Sequence, residues 1–250
     1  MADRPDVELP LYLRLLWNGE DTSRPGPKRG VDLSTIAQTG VRIADAEGLS
    51  ALSMRRLASE LGFTPMAIYR YVQSKAEVMA LVLDSAYGPP PPASGHPHDW
   101  RSRLAAWAAA GRDVILTHPW ILQIPVTEPP LTPHQVGWME AGLDALVATP
   151  LHEQEKLSSI LLVDVYLRGQ SQLSLAMNPG GNDQPEAAMQ YSHRLRALVD
   201  QQRYPRIAAA VLSGALDDDD TNFAVDEFIF GLDSVLDGIA ARIDRRAGRI

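Results

Sequence analysis

Gly62 splits the stretch from Leu52 to Val72 into two short helical segments, and this split constrains the fold more than any other feature of the chain. Ahead of it, Ser53 is an N-cap residue and Leu57, Ala58 and Leu61 repeat at helical spacing. Behind it, Thr64 reads as a cap and Pro65 as the first residue of a second helix, where a missing N–H costs nothing. That helix continues through the aromatic and basic run Ile68-Tyr69-Arg70-Tyr71-Val72. Two short helices broken at a glycine form a helix-turn-helix, a unit that lays its second helix in the major groove of DNA.

The surrounding sequence supplies a helical frame. Ile36, Ala37, Gly40, Val41 and Ala44 fall at 0, 1, 4, 5 and 8, one face of a helix that starts near Asp32 or Ser34 and stops at Gly48. Ser74 and Glu77 make a capping box for a further helix packed through Val78, Leu81, Val82 and Ser85. Strand signals are scarce, so the expected fold is all-α, with an N-terminal helix-turn-helix domain and a larger helical domain behind it. Residues 88–99 contain four consecutive prolines, which favour an extended spacer. The expected organisation is therefore an N-terminal extension over 1–31, a DNA-binding domain over 32–87, a linker over 88–99 and a second domain over 100–250. Helices are expected in the second domain near 100–117, 134–147, 153–177, 185–202, 204–213 and 221–246. Asn178 to Asp183 and Ser213 to Asp220 read as loops.

A net charge of −8 runs against nucleic-acid binding until its distribution is considered. Between Lys28 and Lys75, seven basic residues face only Asp32, Asp45, Glu47 and Glu60. A basic module on an acidic body attracts phosphate locally without indiscriminate sticking. With no cysteine, disulfides, thiolate metal sites and cysteine nucleophiles are excluded, and a reducing compartment is the natural setting. No apolar run approaches the roughly 20 residues of a membrane span. Pro10 and Arg14 argue against reading Leu9 to Trp17 as a signal peptide. Cytoplasmic localisation, with no membrane partner, is expected.

Enzyme readings find little support. The six histidines are scattered without paired ligand spacing, and no HExxH, GxGxxG, Walker-type loop or GxSxG elbow occurs. No catalytic residue, metal or cofactor is expected.

Residues 33–83 resemble the DNA-binding domain of the tetracycline-repressor (TetR) family of bacterial one-component regulators. The resemblance rests on Ile43-Ala44, Glu47-Gly48-Leu49, Ser53-Met54-Arg55-Arg56-Leu57-Ala58, Leu61-Gly62, and Ile68-Tyr69-Arg70-Tyr71-Val72 followed by Lys75. More loosely, Trp100-Arg101, His118-Pro119-Trp120, Glu128-Pro129-Pro130 and the helix from Phe228 to Ile239 resemble an actinobacterial-type ligand-binding half of that family. The resemblance implies a homodimeric regulator that binds a palindromic DNA operator and is released as a repressor by a small-molecule effector. The alternative is a helical ligand carrier or enzyme that retains a helix-turn-helix-like subdomain.

The resemblance also implies roles for residues. Thr64, Met66 and Ala67 sit where the family reaches base edges, and their small or apolar side chains suit a thymine methyl group. Arg55 is the candidate for guanine contact. Tyr69, Tyr71 and Lys75 match phosphate-clamping positions, although core packing explains either tyrosine equally simply. Ser53, Pro65 and Arg70 complete the DNA-facing set, with Lys28 and Arg29 in an arm ahead of it. Arg56 is either a surface charge or the partner of Glu60 at i+4.

In the second domain Trp120, Trp138 and Met139 add bulk, and Tyr166, Gln170 and Ser174 form a row along the helix over 153–177. The effector pocket expected from them is lined by Trp120, Trp138, Met139, Tyr166 and Gln170. A solvent-facing stripe has the same spacing. Asp164 and Arg168 are expected to pair at the surface. His118 reads as a helix terminator or as a polar handle in the pocket. Phe228, Ile229, Leu232, Val235, Leu236, Ile239, Ala240 and Ile243 make one long apolar stripe, either ordinary core or a subunit interface.

Overall fold

A computed structural model describes residues 8–18, 32–93, 95, 96, 98–177, 185–216 and 223–248, in backbone alone at 185–190, 223 and 224. Lys28 and Arg29, the loop from Asn178 to Asp183 and the four aspartates at 217–220 lie outside these residues. The fold is all-helical, with no strand among the described residues.

The helices follow from their caps. Asp32 starts α2 (Leu33–Glu47) by accepting the Thr35 N–H at 2.6 Å, and Gly48 ends it. Ser53 caps α3 (Met54–Leu61) through the Arg56 N–H, and Gly62 closes it in the left-handed region at φ 70°, which favours glycine. Thr64 occupies the N-cap position of α4 (Pro65–Tyr69), where its carbonyl accepts the Ala67 N–H and its side chain makes no capping bond. In α5 (Lys75–Tyr87) the Ser74 hydroxyl accepts the Glu77 N–H, but the Glu77 carboxylate reaches the Gln73 N–H instead of completing the box on Ser74. Ile36, Leu52, Leu57, Ile68, Val72, Val78, Leu81 and Val82 form the core of this unit. Helices α2 and α5 pass so closely that a Cβ at Gly40 would meet Val82 Cγ2 at 2.2 Å.

One helix has no counterpart in the sequence reading. Leu11–Asn18 forms α1, buries Leu13, and donates the Trp17 indole N–H to the Leu131 carbonyl at 2.8 Å. Two turns of helix are too short to stand alone, so docking rather than local pattern holds it.

The proline run leaves α5 without helical structure and lies against the second helical layer. Trp138 donates to the Gly88 carbonyl, and Pro90 sits against Gly137. Helix α6 (Trp100–Thr117) leads through a 3₁₀ turn at Pro119–Gln123 to α7 (Pro133–Ala145) and α8 (Glu153–Met177). Then come α9 (Pro185–Leu198), shorter than its pattern, α10 (Pro205–Leu212) and α11 (Phe223–Arg246). Helices α6, α8 and α11 share a core of Leu104, Ala108, Ile160, Val163, Leu167, Phe228, Leu232, Leu236 and Ile239. Most of the long stripe on α11 is therefore core of its own chain. The large apolar side chains that α11 leaves exposed are Ile229 and Phe230.

Candidate nucleic-acid interface and ligand cavity

Ile68 and Val72, both fully buried, anchor α4 and fix which way its remaining residues point. Thr64, Pro65, Met66, Tyr69 and Arg70 are exposed, Met66 at 73% and Tyr69 at 45%, while Ala67 is half-buried. The two tyrosines divide. Tyr71 packs partly against the core, whereas Tyr69 stands in solvent. Ser53, Arg55 and Lys75 are exposed at the starts of the neighbouring helices. Ser53 uses its oxygen as a cap acceptor, which leaves its O–H free to donate to phosphate.

The paired arginines are sorted by their partners. Arg56 binds Glu47 and Glu60, each at 2.7 Å, so it joins α2 to α3. The guanidinium holds the Glu47 carboxyl below its usual range, and the two carboxylates raise Arg56 in turn. Arg55, Arg70 and Lys75 form no ion pair among the described residues and remain available to an outside anion. Phe63, missed in the sequence, is 43% exposed in the turn ahead of α4. An apolar residue just after a helix-ending glycine ordinarily folds back on its helix, so the pattern signals burial and gives no hint of exposure.

A cavity of about 280 Å³ lies between α5, α6, α7 and α8. Tyr87, Trp107, Gly111, Pro130, Gln135, Trp138 and Met139 line it, together with Leu157, Ile160, Leu161, Asp164, Leu167 and Arg168 of α8. Trp138 and Met139 thus stand in the wall; Trp120, Tyr166 and Gln170 do not. Trp120 is buried elsewhere, donating its indole N–H to Asp45 at 2.7 Å. Tyr166 stacks on Phe228 and donates to the carbonyls of Glu227 and Phe228 over Gly231, where a Cβ would collide with its hydroxyl. Two residues along a helix turn a side chain by about 200°, so the row beginning at Tyr166 points away from the face that carries Asp164.

The pair Asp164–Arg168 forms as expected at i+4 and lines this wall while both side chains stay partly exposed. Arg168 donates to Asp164 at 3.1 Å and to the Tyr87 hydroxyl at 2.8 Å, joining α8 to α5. Burial pushes both the Asp164 carboxyl and the Tyr87 phenol upward, against the pull of Arg168. His118 is the C-cap of α6 with its ring on Asp45, away from the cavity. No group of three or more His, Asp or Glu side chains that could hold a metal occurs among the described residues, and no helix of theirs is long and apolar enough to cross a membrane.

A short helix-turn-helix carried on α2 and α5, coupled to a larger helical body with an apolar cavity, defines a DNA-binding protein with a ligand-binding half. The family model for bacterial regulatory proteins of the tetR family matches residues 36–82, and that for the tetracyclin repressor-like C-terminal domain matches residues 92–243. The chain belongs to the tetR family. It is 34% identical over 245 residues to the HTH-type transcriptional repressor DrrR1 of Streptomyces coeruleorubidus, covering 94% of this chain and 87% of that one. Among solved structures it is similar to ActR of Streptomyces coelicolor in complex with actinorhodin, at 25% identity and TM-score 0.73, covering 85% of this chain and 98% of that one. Ligand-free ActR gives 25% identity and TM-score 0.70 over 84% and 97% of the two chains. The protein is a DNA-binding transcriptional regulator.

Proposed function

We propose that the protein binds a palindromic operator as a homodimer and is released when a mainly apolar, flat ligand fills the cavity between α5 and α8. The observation that carries this reading is the double role of α5. It packs against α2 beneath the DNA-reading helices, and it ends at Tyr87 in the cavity wall. A ligand that displaces Tyr87 or its bond to Arg168 bears on the element that seats the helix-turn-helix. Residues 32–87 read the DNA, 88–99 join the halves and 100–250 bind ligand and partner subunit. Acting on the chromosome, the protein works in the cytoplasm and performs no catalysis.

Exposed apolar residues support the dimer. Leu162, Val165 and Leu173 on α8 and Ile229 and Phe230 on α11 are half or more exposed. Gly169 and Gly238 lie inside the same two helices with nothing near them, and a helix-interior glycine costs about 1 kcal/mol relative to alanine unless close approach of another surface uses it. Two copies paired through these helices bring two DNA-reading units to one duplex. Lys28 and Arg29 add backbone contacts beside them.

Trp107, Trp138 and Tyr87 give the cavity three aromatic faces, and ActR binds actinorhodin. Titrating the protein with planar aromatic compounds, actinorhodin first, tests the reading. A ligand is expected to quench tryptophan fluorescence and to raise the dissociation constant for operator. Equal affinity for free and operator-bound protein would refute release, because the coupling must be reciprocal.

A further inference from the structure

From Gly62 to Ile68 the DNA-reading turn and helix hold no charged side chain and no amide side chain. In their place stand two exposed apolar groups, Phe63 and Met66, and Met66 is the most exposed large hydrophobic side chain of this unit at 73%. Thr64 is exposed as well, its hydroxyl free of any cap bond. Met66 stands outside the core, the inward face of α4 being filled by Ile68, and Phe63 keeps 43% of its surface exposed in the turn ahead of it. These seven positions cannot make the bidentate contacts that Arg, Asn or Gln make to purine edges, and Arg70 stands at the opposite end of α4, on its C-cap. The major groove offers a single apolar feature, the C5-methyl group of thymine.

We propose that Met66, with Phe63 in the turn ahead of its helix, is the specificity-determining residue of the helix and reads thymine methyl groups. This rests on the operator-binding reading above. The polar component of recognition then falls to Arg55 on α3. Arg56 is withdrawn by Glu47 and Glu60, whereas Arg55 forms no ion pair among the described residues. The preferred half-site holds one or two thymines under α4 and a guanine within reach of Arg55.

The test uses the full chain and duplexes enriched from a random pool. Each thymine of the enriched site is replaced in turn by deoxyuridine, which removes the C5-methyl group and nothing else. Wild-type protein is expected to lose about fourfold in affinity at one or two positions per half-site, the effect of one buried methyl-sized group. Met66→Ala is expected to bind the thymine site more weakly and to be indifferent, within about twofold, to uracil at one of those positions. Met66→Leu is expected to restore the sensitivity, and equal melting temperatures of the three proteins exclude a folding defect. An enriched site at which uracil changes nothing, or Met66→Ala that keeps full uracil sensitivity, overturns this inference alone. No enriched symmetric site overturns the operator reading and this inference with it.

Discussion

The carboxylate of Asp45 in α2 accepts the indole N–H of Trp120, 75 residues away, at 2.7 Å, and the same oxygen meets the Nδ1 of His118 at 2.7 Å. A carboxylate oxygen only accepts, so His118 carries its proton on Nδ1. One residue of the DNA-reading unit thereby fastens the end of α6 and the 3₁₀ turn that follows it. Trp120 is only 3% exposed, so its N–H has no water to turn to.

Asp45→Ala is expected to cost about 1–3 kcal/mol, the penalty of leaving a buried donor unpaired. It should also weaken operator binding, because the two units lose a fixed relation. Urea unfolding and operator titration check both effects. Asp45→Asn keeps an acceptor for Trp120 and is expected to be milder in each.

The three basic positions Arg55, Lys75 and Arg56 should behave differently. Arg55→Ala is expected to cost about 1–3 kcal/mol of operator affinity and to relax sequence preference at one base pair, whereas Lys75→Ala weakens all sequences alike and lowers the salt slope by about 1. Arg56→Ala should act through the fold instead, freeing Glu47 and Glu60 and lowering the melting temperature. Binding to operator variants across a salt series separates the three.

On α11, neighbouring positions report on different contacts. Leu236→Ala removes a side chain that is 1% exposed and is expected to cost about 2–5 kcal/mol of stability. Phe230→Glu changes a residue that is 71% exposed and is expected to give folded monomers. Light scattering with circular dichroism distinguishes a lost dimer from a lost fold.

Asp164 gives the cavity wall a pH signature. Burial raises its carboxyl above the ordinary 3.8, so ionising it costs the folded state more than the unfolded one. This contribution favours folding at low pH and is lost as pH rises through the raised folded value. Asp164→Asn removes it, so stability relative to wild type is expected to improve between acid and neutral pH. Urea midpoints at pH 4 and pH 7 for both proteins measure the difference, and an unchanged difference would place Asp164 in a solvated setting.

Local signals made the helix-turn-helix legible. Asp32, Ser53, Gly62, Pro65 and Ser74 mark helix ends by chemistry within four residues, and the ends of α6 and α8 follow from Asp99, Pro119 and the long apolar spacing. What depended on distant partners was not legible. The stripe on α11 shows which side chains share a face but not that α6 and α8 of the same chain cover it. The indole of Trp120 looks in sequence like any cavity aromatic until Asp45 is placed beside it. Asp164 and Arg168 keep their i+4 pairing in either setting, and only Tyr87, brought in from α5, places them in the cavity wall. Helix α1 has only two turns, and Pro10 ahead of it offers no capping side chain, so its contact with Leu131 is what identifies it.

The most direct test is selection of random duplexes by the full-length protein, followed by the mass of the complex it forms. A symmetric site is expected, with half-sites separated by about one helical turn, 34–36 Å, or a multiple of it, and two 27.3 kDa chains per duplex. Enrichment of no symmetric sequence, or a single chain on the selected duplex, would contradict a dimeric operator-binding repressor.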